Sequence, residues 1–140
     1  EYFSLEVPDN QLHDEFLNLP LNELMLHIQK AIEKGHPVCW EGDISEKGFQ
    51  HPKNNYVDIQ PTEHPVTQIS RQREYEQLRT TDDHVMEIIG TFLKGKKRYY
   101  VCRNSWGKDW GCNGLIYLSE DYIKLKTIAL YMSEEGYICK

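Results

Sequence analysis

His84 stands where a polar run, Thr80-Thr81-Asp82-Asp83, gives way to a β-rich stretch over residues 85–92. A histidine at a loop-to-strand junction is held by the sheet while its ring faces a cleft, the placement an acid–base group needs. Taken alone, any one of six histidines is more simply an ordinary surface or turn residue. Twenty residues further on, Asn104-Ser105-Trp106-Gly107 closes a second β-rich stretch, 98–104. Lys94-Gly95-Lys96 between the two is a hairpin signal, so the stretches are neighbours in one sheet. Neighbouring strands lie about 4.8 Å apart, which brings the His84 ring and the Asn104 amide within reach of each other. An amide oxygen accepting an imidazole N–H sets the tautomer and orientation of the ring, the part played by the third member of a catalytic triad. Trp106 is placed to cover that bond and exclude water. The plainer alternative has Asn104 capping a turn and Trp106 filling core.

A nucleophile for such a pair would be a thiolate, and the chain has four cysteines: Cys39, Cys102, Cys112 and Cys139. They form no CxxC pair, so zinc spacing is absent, and this much apolar periodicity argues against a disulfide framework. Free thiols in a reducing compartment are the better reading; a Cys102–Cys112 bridge stays open. Cys39, the one cysteine before His84, lies in the strand Pro37-Val38-Cys39-Trp40 and reads as a buried, unreactive thiol, not a relocated nucleophile. Cys102 precedes Asn104 by two residues, so strand alternation puts both on one face. Core packing is still its simpler role. The histidines are scattered, which makes metal binding by Cys and His a weak third reading, and no metal or cofactor is expected.

The elements that must position these residues fit in one domain of 140 residues. Apolar residues make up 39% and aromatics 11%, enough for a core and too many for disorder. Against 22 acidic residues stand 16 Lys and Arg, a net charge of -6, which argues against nucleic acid and against an anionic membrane surface. No apolar run approaches the ~20 residues of a membrane span. The sequence opens on Glu1 with no basic-then-apolar leader, so a processed, trimmed or excised chain is expected.

Residues 1–17 form a lead segment without a clear period. Asn18 is placed to cap a helix, with Pro20 tolerated in its first turn. Leu21, Leu24, Met25, Ile28, Ala31 and Ile32 recur at helical spacing, and Gly35 ends the run as a left-handed C-cap. A short strand, 36–40, precedes a long polar loop (41–66) whose glycines and prolines predict no regular structure. Residues 67–78 read as a charged, exposed helix; 115–118 and 128–132 complete at least four extended segments, with a turn or short helix over 119–125. The whole is an α+β domain around an antiparallel sheet.

The run Asn104 to Ile116, N-S-W-G-K-D-W-G-C-N-G-L-I, resembles the NSWGxxWGxNGY signature of papain-like cysteine peptidases. D-H-V-M-E-I-I-G at 83–90 resembles their catalytic histidine strand, in the right order and spacing. Leu19-Pro20-Leu21-Asn22-Glu23, the run from Glu33 to Trp40, Asp43-Ile44-Ser45-Glu46-Lys47-Gly48-Phe49, Thr80 to His84, and Tyr117 to Ile123 through Lys126-Thr127-Ile128 are similar to the bleomycin hydrolase and aminopeptidase C branch. Residues 133–140 carry no such likeness, so nothing is carried over to a C-terminal arm.

The resemblance implies the antiparallel-sheet, β-barrel-like C-terminal half of a papain-like fold. It assigns the histidine role to His84, the orienting role to Asn104 and the leaving-group-side wall to Trp106. Asp83 would lie beside the cleft and offer its backbone carbonyl to substrate. In that family the nucleophile opens a helix in the first half of the chain, after a glutamine that helps to stabilise the oxyanion. Neither has a counterpart before His84. The implied partners are a peptide substrate and an N-terminal domain carrying Gln and Cys, with a homo-oligomer also open. Alone, the chain is expected to be inactive and, with its domain face uncovered, to dissolve poorly or self-associate. The competing reading is a non-catalytic, peptidase-like remnant that binds a peptide or protein partner. Compartment is left open, the unpaired cysteines favouring cytoplasm.

Overall fold

The computed structural model describes residues 1–8 and 10–137. In chain order the elements are β1 (Tyr2–Ser4), β2 (Glu15–Leu17), α1 (Leu21–Glu33), β3 (Val38–Gly42), α2 (Lys47–Gln50), β4 (Tyr56–Val57), a 3-10 turn (Pro61–Glu63), α3 (Gln68–Glu76), β5 (His84–Lys94), β6 (Lys97–Arg103), β7 (Leu115–Ser119), α4 (Glu120–Lys126) and β8 (Thr127–Tyr131). β1 and β2 pair with each other, so the lead segment that lacks a period is a small hairpin. The other six strands make one sheet in the order β4-β7-β6-β5-β3-β8. All its pairs are antiparallel except β4 with β7, which is parallel.

Strand alternation sorts the sheet into two faces. On one lie Val38 and Trp40 of β3, Met86 and Ile88 of β5, Tyr100 and Cys102 of β6, and Ile116 and Leu118 of β7, all buried. α1, through Leu21, Met25, Ile28 and Ala31, and α4, through Tyr122, Ile123 and Leu125, complete that core. On the other face Tyr56, Phe92, Tyr99 and Tyr117 pack ring to ring, and the Lys94 ammonium sits 3.7 Å above the centre of the Tyr56 ring. β5 and β6 are joined by a two-residue turn in which Gly95 takes φ +63°, as a tight hairpin of this hand requires.

Three local expectations need correction. α1 is not capped by Asn18: its N-cap is Pro20, and the Leu21 N–H is taken by Gln68 Oε1 of α3 at 2.7 Å. Asn18 instead donates its backbone N–H to Glu1 O, continuing the β1–β2 ladder. The 41–66 segment is not devoid of regular structure but holds α2, β4 and the 3-10 turn. Gly48 is there for a reason other than chain reversal, since a Cβ on it would run into the Asp58 carbonyl. Cys102 and Cys112 are both free thiols, which closes the open question of a bridge between them.

The two ends of α1 and α3 share a device but not a residue type. Gly35, at φ +84°, follows α1 with His36 N bonding back to Ala31 O and Gly35 N to Ile32 O. Leu78 holds the same left-handed place after α3, at φ +56°, with Arg79 N bonded to Glu74 O and Leu78 N to Tyr75 O. Its side chain is exposed and contributes little packing. A left-handed non-glycine residue costs roughly 1–2 kcal/mol, part of which glycine returns through its freer unfolded chain. Leu78→Gly is therefore expected to stabilise the domain by about 0.5–1 kcal/mol, raising the thermal midpoint by roughly 2 °C. An unchanged or lower midpoint would contradict this account of the α3 terminus.

Candidate active site

His84 is the first residue of β5 and pairs with Gly42 at the end of β3. Asn104 follows the last residue of β6, and its backbone N–H is held by Gly114 O at 3.0 Å. The strand register alone would set His84 across from a residue beyond Asn104, so the two side chains meet diagonally over the fraying end of the hairpin. They do meet: His84 Nε2 lies 2.8 Å from Asn104 Oδ1. The same oxygen accepts the Ser105 backbone N–H at 2.8 Å, which identifies it as the carbonyl end of the amide. Because that oxygen can only accept, Nε2 carries the proton and Nδ1 is the ring nitrogen left free for chemistry. Asn104 is buried, and its Nδ2 has no partner among the described residues.

Trp106 is not core. It is 49% exposed, and its ring lies 4.9 Å from the His84 ring at an interplanar angle of 44°. Trp110 supports it edge-on at 5.0 Å, and Phe49 meets it at 6.3 Å. The turn that carries these indoles depends on Gly111, where φ is +60° and a Cβ would strike the Leu115 carbonyl. Between the indoles and the β3–α2 connection is an open depression of about 480 Å³, with Ile44, Phe49, Asp83, Trp106, Trp110 and Ile116 among its walls. Asp83 reaches it from the residue before His84. Its Oδ1 accepts the Ile44 N–H at 2.8 Å; partial burial, together with the neighbouring Asp43 charge, raises its carboxyl above the ordinary aspartate value.

The cysteines do not complete this arrangement. Cys39 is half-buried, not buried as its strand predicts, and its thiol is pushed up by burial and by Glu41 and Glu87. It pairs with Glu87, three residues along β5 from His84, so it points from the opposite face of the sheet. Cys102 is fully buried opposite Ile88, roughly 13 Å along the strand from His84, and burial raises its thiol strongly. Cys112 sits in the turn beyond Trp110, and Cys139 lies outside the described residues. Among the described residues no three His, Cys, Asp or Glu side chains are grouped to hold a metal. No helix there is long and apolar enough to cross a membrane.

Two contributors have no signal in the sequence. The Ser105 amide orients Asn104 through a backbone atom, which no residue type announces. The Asp43 carboxylate, tied to Thr81 just ahead of His84, becomes visible only once β3 and β5 are adjacent.

An imidazole held by an amide beneath an indole, on an α+β scaffold, is the arrangement of the thiol peptidases. A family model described as papain family cysteine protease matches residues 11–133, and the chain belongs to that family. It is similar to silicatein of Petrosia ficiformis, 26% identical over 106 residues that cover 76% of this chain and 27% of the relative. Cathepsin J of Rattus norvegicus is likewise 26% identical, over 111 residues, with 76% of this chain and 28% of the relative covered. Procathepsin L of the same species is 36% identical over 56 residues, 35% of this chain and 17% of the relative. Among solved structures, PepW from Lactobacillus rhamnosis HN001 superposes with a TM-score of 0.75 at 17% identity, covering 98% of this chain and 32% of that one. That likeness bears on the fold alone. The chain thus spans about a third or less of the length of these relatives.

Proposed function

We propose that this chain supplies the histidine and asparagine of a Cys–His–Asn cysteine peptidase, with a nucleophile contributed by a segment outside the 140 residues. The observation that carries the reading is the 2.8 Å bond from His84 Nε2 to Asn104 Oδ1 under Trp106. With Nε2–H committed to the amide, Nδ1 takes the thiol proton and leaves a thiolate beside an imidazolium. The thiolate attacks the peptide carbonyl. The imidazolium then returns its proton to the departing amine, and the acyl-enzyme is hydrolysed by a water that Nδ1 deprotonates. Trp106 walls the leaving-group side and keeps water from the His84–Asn104 bond, which is stronger for being dry. Asp83 presents its backbone carbonyl to the bound peptide chain.

The motifs along residues 18–132 favour the bleomycin hydrolase and aminopeptidase C branch, hence cleavage near chain ends. The partner that this half requires is an N-terminal half bearing an oxyanion glutamine and a cysteine at a helix start. The half-exposed Trp106, with Trp110 and Phe49 beside it, lines the side such a partner would cover.

Two measurements on the same material test the reading. The 140-residue chain is expected neither to hydrolyse a fluorogenic aminoacyl amide nor to take up a thiol-directed epoxide label. Sequencing the gene upstream of the Glu1 codon is expected to reveal an open frame encoding Gln and then Cys. Turnover by the chain itself, or labelling of Cys39, would overturn the external nucleophile. A stop codon just upstream would leave a non-catalytic remnant instead.

A further inference from the structure

The segment that delivers His84, Thr80-Thr81-Asp82-Asp83, belongs to no helix or strand, so side chains must hold it. Asp43, the residue after β3, is fully buried. A buried carboxylate persists only where hydrogen bonds replace its water, and here both oxygens are saturated. Oδ1 accepts from Ser45 N and Ser45 Oγ, each at 2.7 Å. Oδ2 accepts from Thr81 N at 2.8 Å and from Thr81 Oγ at 3.1 Å. The Asp43 backbone is anchored separately on the α4–β8 junction, its N–H donating to Lys126 O at 3.0 Å and its carbonyl accepting the Tyr122 hydroxyl at 2.8 Å.

Asp43 is therefore a fixed post, and the strap ahead of β5 is tied to it. Thr81 carries the connection on, because its single hydroxyl proton lies between two acceptors, Asp43 Oδ2 and Asp83 Oδ2, the latter at 3.3 Å. Asp83 closes the loop by accepting the Ile44 N–H, one residue after Asp43. On the far side, Thr80 Oγ donates to Leu125 O at 3.3 Å. The chain thus enters His84 pinned at three successive points.

We propose that Asp43 is a positioning residue which, acting through Thr81, sets the path of the chain into β5 and with it the seating of the His84 ring on Asn104. The proposal rests on the reading of His84 and Asn104 given above. Its distinguishing feature is direction: of the two residues that saturate the carboxylate, Thr81 leads to His84 and Ser45 leads away from it.

Histidine-ring 1H–15N NMR on the 140-residue chain tests this. The wild-type His84 ring is expected in one tautomer, with an Nε2 proton that exchanges slowly. Thr81→Val keeps the backbone bond to Asp43 and removes the hydroxyl; it is expected to speed exchange of that proton at least tenfold and to mix the tautomers. Thr81→Ser restores the wild-type signature. Ser45→Ala removes a hydroxyl bond to the same carboxylate and leaves the ring signature unchanged, although its thermal stability falls about as far as that of Thr81→Val. A merely structural carboxylate would move both variants alike. Wild-type exchange and a single tautomer in folded Thr81→Val overturn the proposal. If the wild-type ring has no fixed tautomer and Asn104→Ala changes nothing, the site reading itself fails, and the role of Asp43 falls with it.

Discussion

His84→Ala, introduced into the peptidase together with its nucleophile-bearing half, is expected to lower kcat/KM on the order of 10⁴-fold. The ring has two tasks in the proposed reaction, generating the thiolate and protonating the leaving amine, and both end with its removal. They are not additive, because a thiol that is never ionised makes the second step irrelevant. The fold should survive. His84 is not part of the buried core, and its backbone pairing with Gly42 needs no side chain. KM is expected to change little beside kcat, since the ring acts on the reacting bond and not on the bound chain. Asn104→Ala keeps the imidazole but frees its rotation and tautomer, so a smaller loss concentrated in kcat is expected. Progress curves with a fluorogenic peptide amide decide the matter. A His84→Ala enzyme within tenfold of wild type would remove His84 from the chemistry altogether.

Trp40→Ala is expected to have the largest effect on stability, a loss of about 3–5 kcal/mol. Trp40 has no exposed surface, and it is the largest of the fully buried side chains in the core. Its indole N–H donates to Thr127 Oγ1 at 2.7 Å, and that hydroxyl in turn donates to Ile123 O at 2.6 Å, so one ring ties β3 to β8 and α4. Gly42 lies against the same ring, where a Cβ would collide with it and with the Lys126 carbonyl. A cavity at this place weakens both the core and the strand end opposite His84. Set against a total of roughly 5–15 kcal/mol, the loss leaves a marginal domain, with a thermal midpoint lower by on the order of 10 °C. Trp40→Phe, which refills most of the volume and forfeits the hydrogen bond, is expected to fall between the two. Unfolding midpoints in urea at unchanged slope test the ranking. A Trp40→Ala midpoint within error of wild type would mean that this layer collapses around the gap or is not packed as described.

Much of the framework was legible along the chain because its causes are local. Alternating β-branched residues and a Lys94-Gly95-Lys96 turn suffice for the β5–β6 hairpin, whose two-residue loop pairs Lys94 with Lys97. The apolar stripe from Leu21 to Ile32 and the glycine after it define α1 and its end, and Ser119 caps α4 with a bond from Tyr122 N at 3.1 Å. Where the cause is distant, local reasoning fails. Asn18 is a good capping residue, yet the N-terminus of α1 is served by Gln68, 47 residues away, because α3 packs there. The glycines and prolines of 41–66 suggest irregular chain, yet Gly48 permits a close approach to the Asp58 carbonyl that lets a short helix pack.

The same division runs through the site. The order and spacing of His84, Asn104 and Trp106 determine that an imidazole and an amide share one end of a hairpin, since strand separation and turn length leave them little freedom. Sequence alone likewise settles that Cys39, Cys102 and Cys112 stand apart from any helix start. Which nitrogen of His84 is free was decided only by tertiary structure, through the Ser105 N–H that marks the oxygen of Asn104. So was the exposure of Trp106, and so was the part of Asp43, whose partners lie 38 residues away at Thr81. Side-chain direction and backbone hydrogen bonds depend on where other segments arrive, and burial in a folded sheet gives them an energy that no local pattern carries.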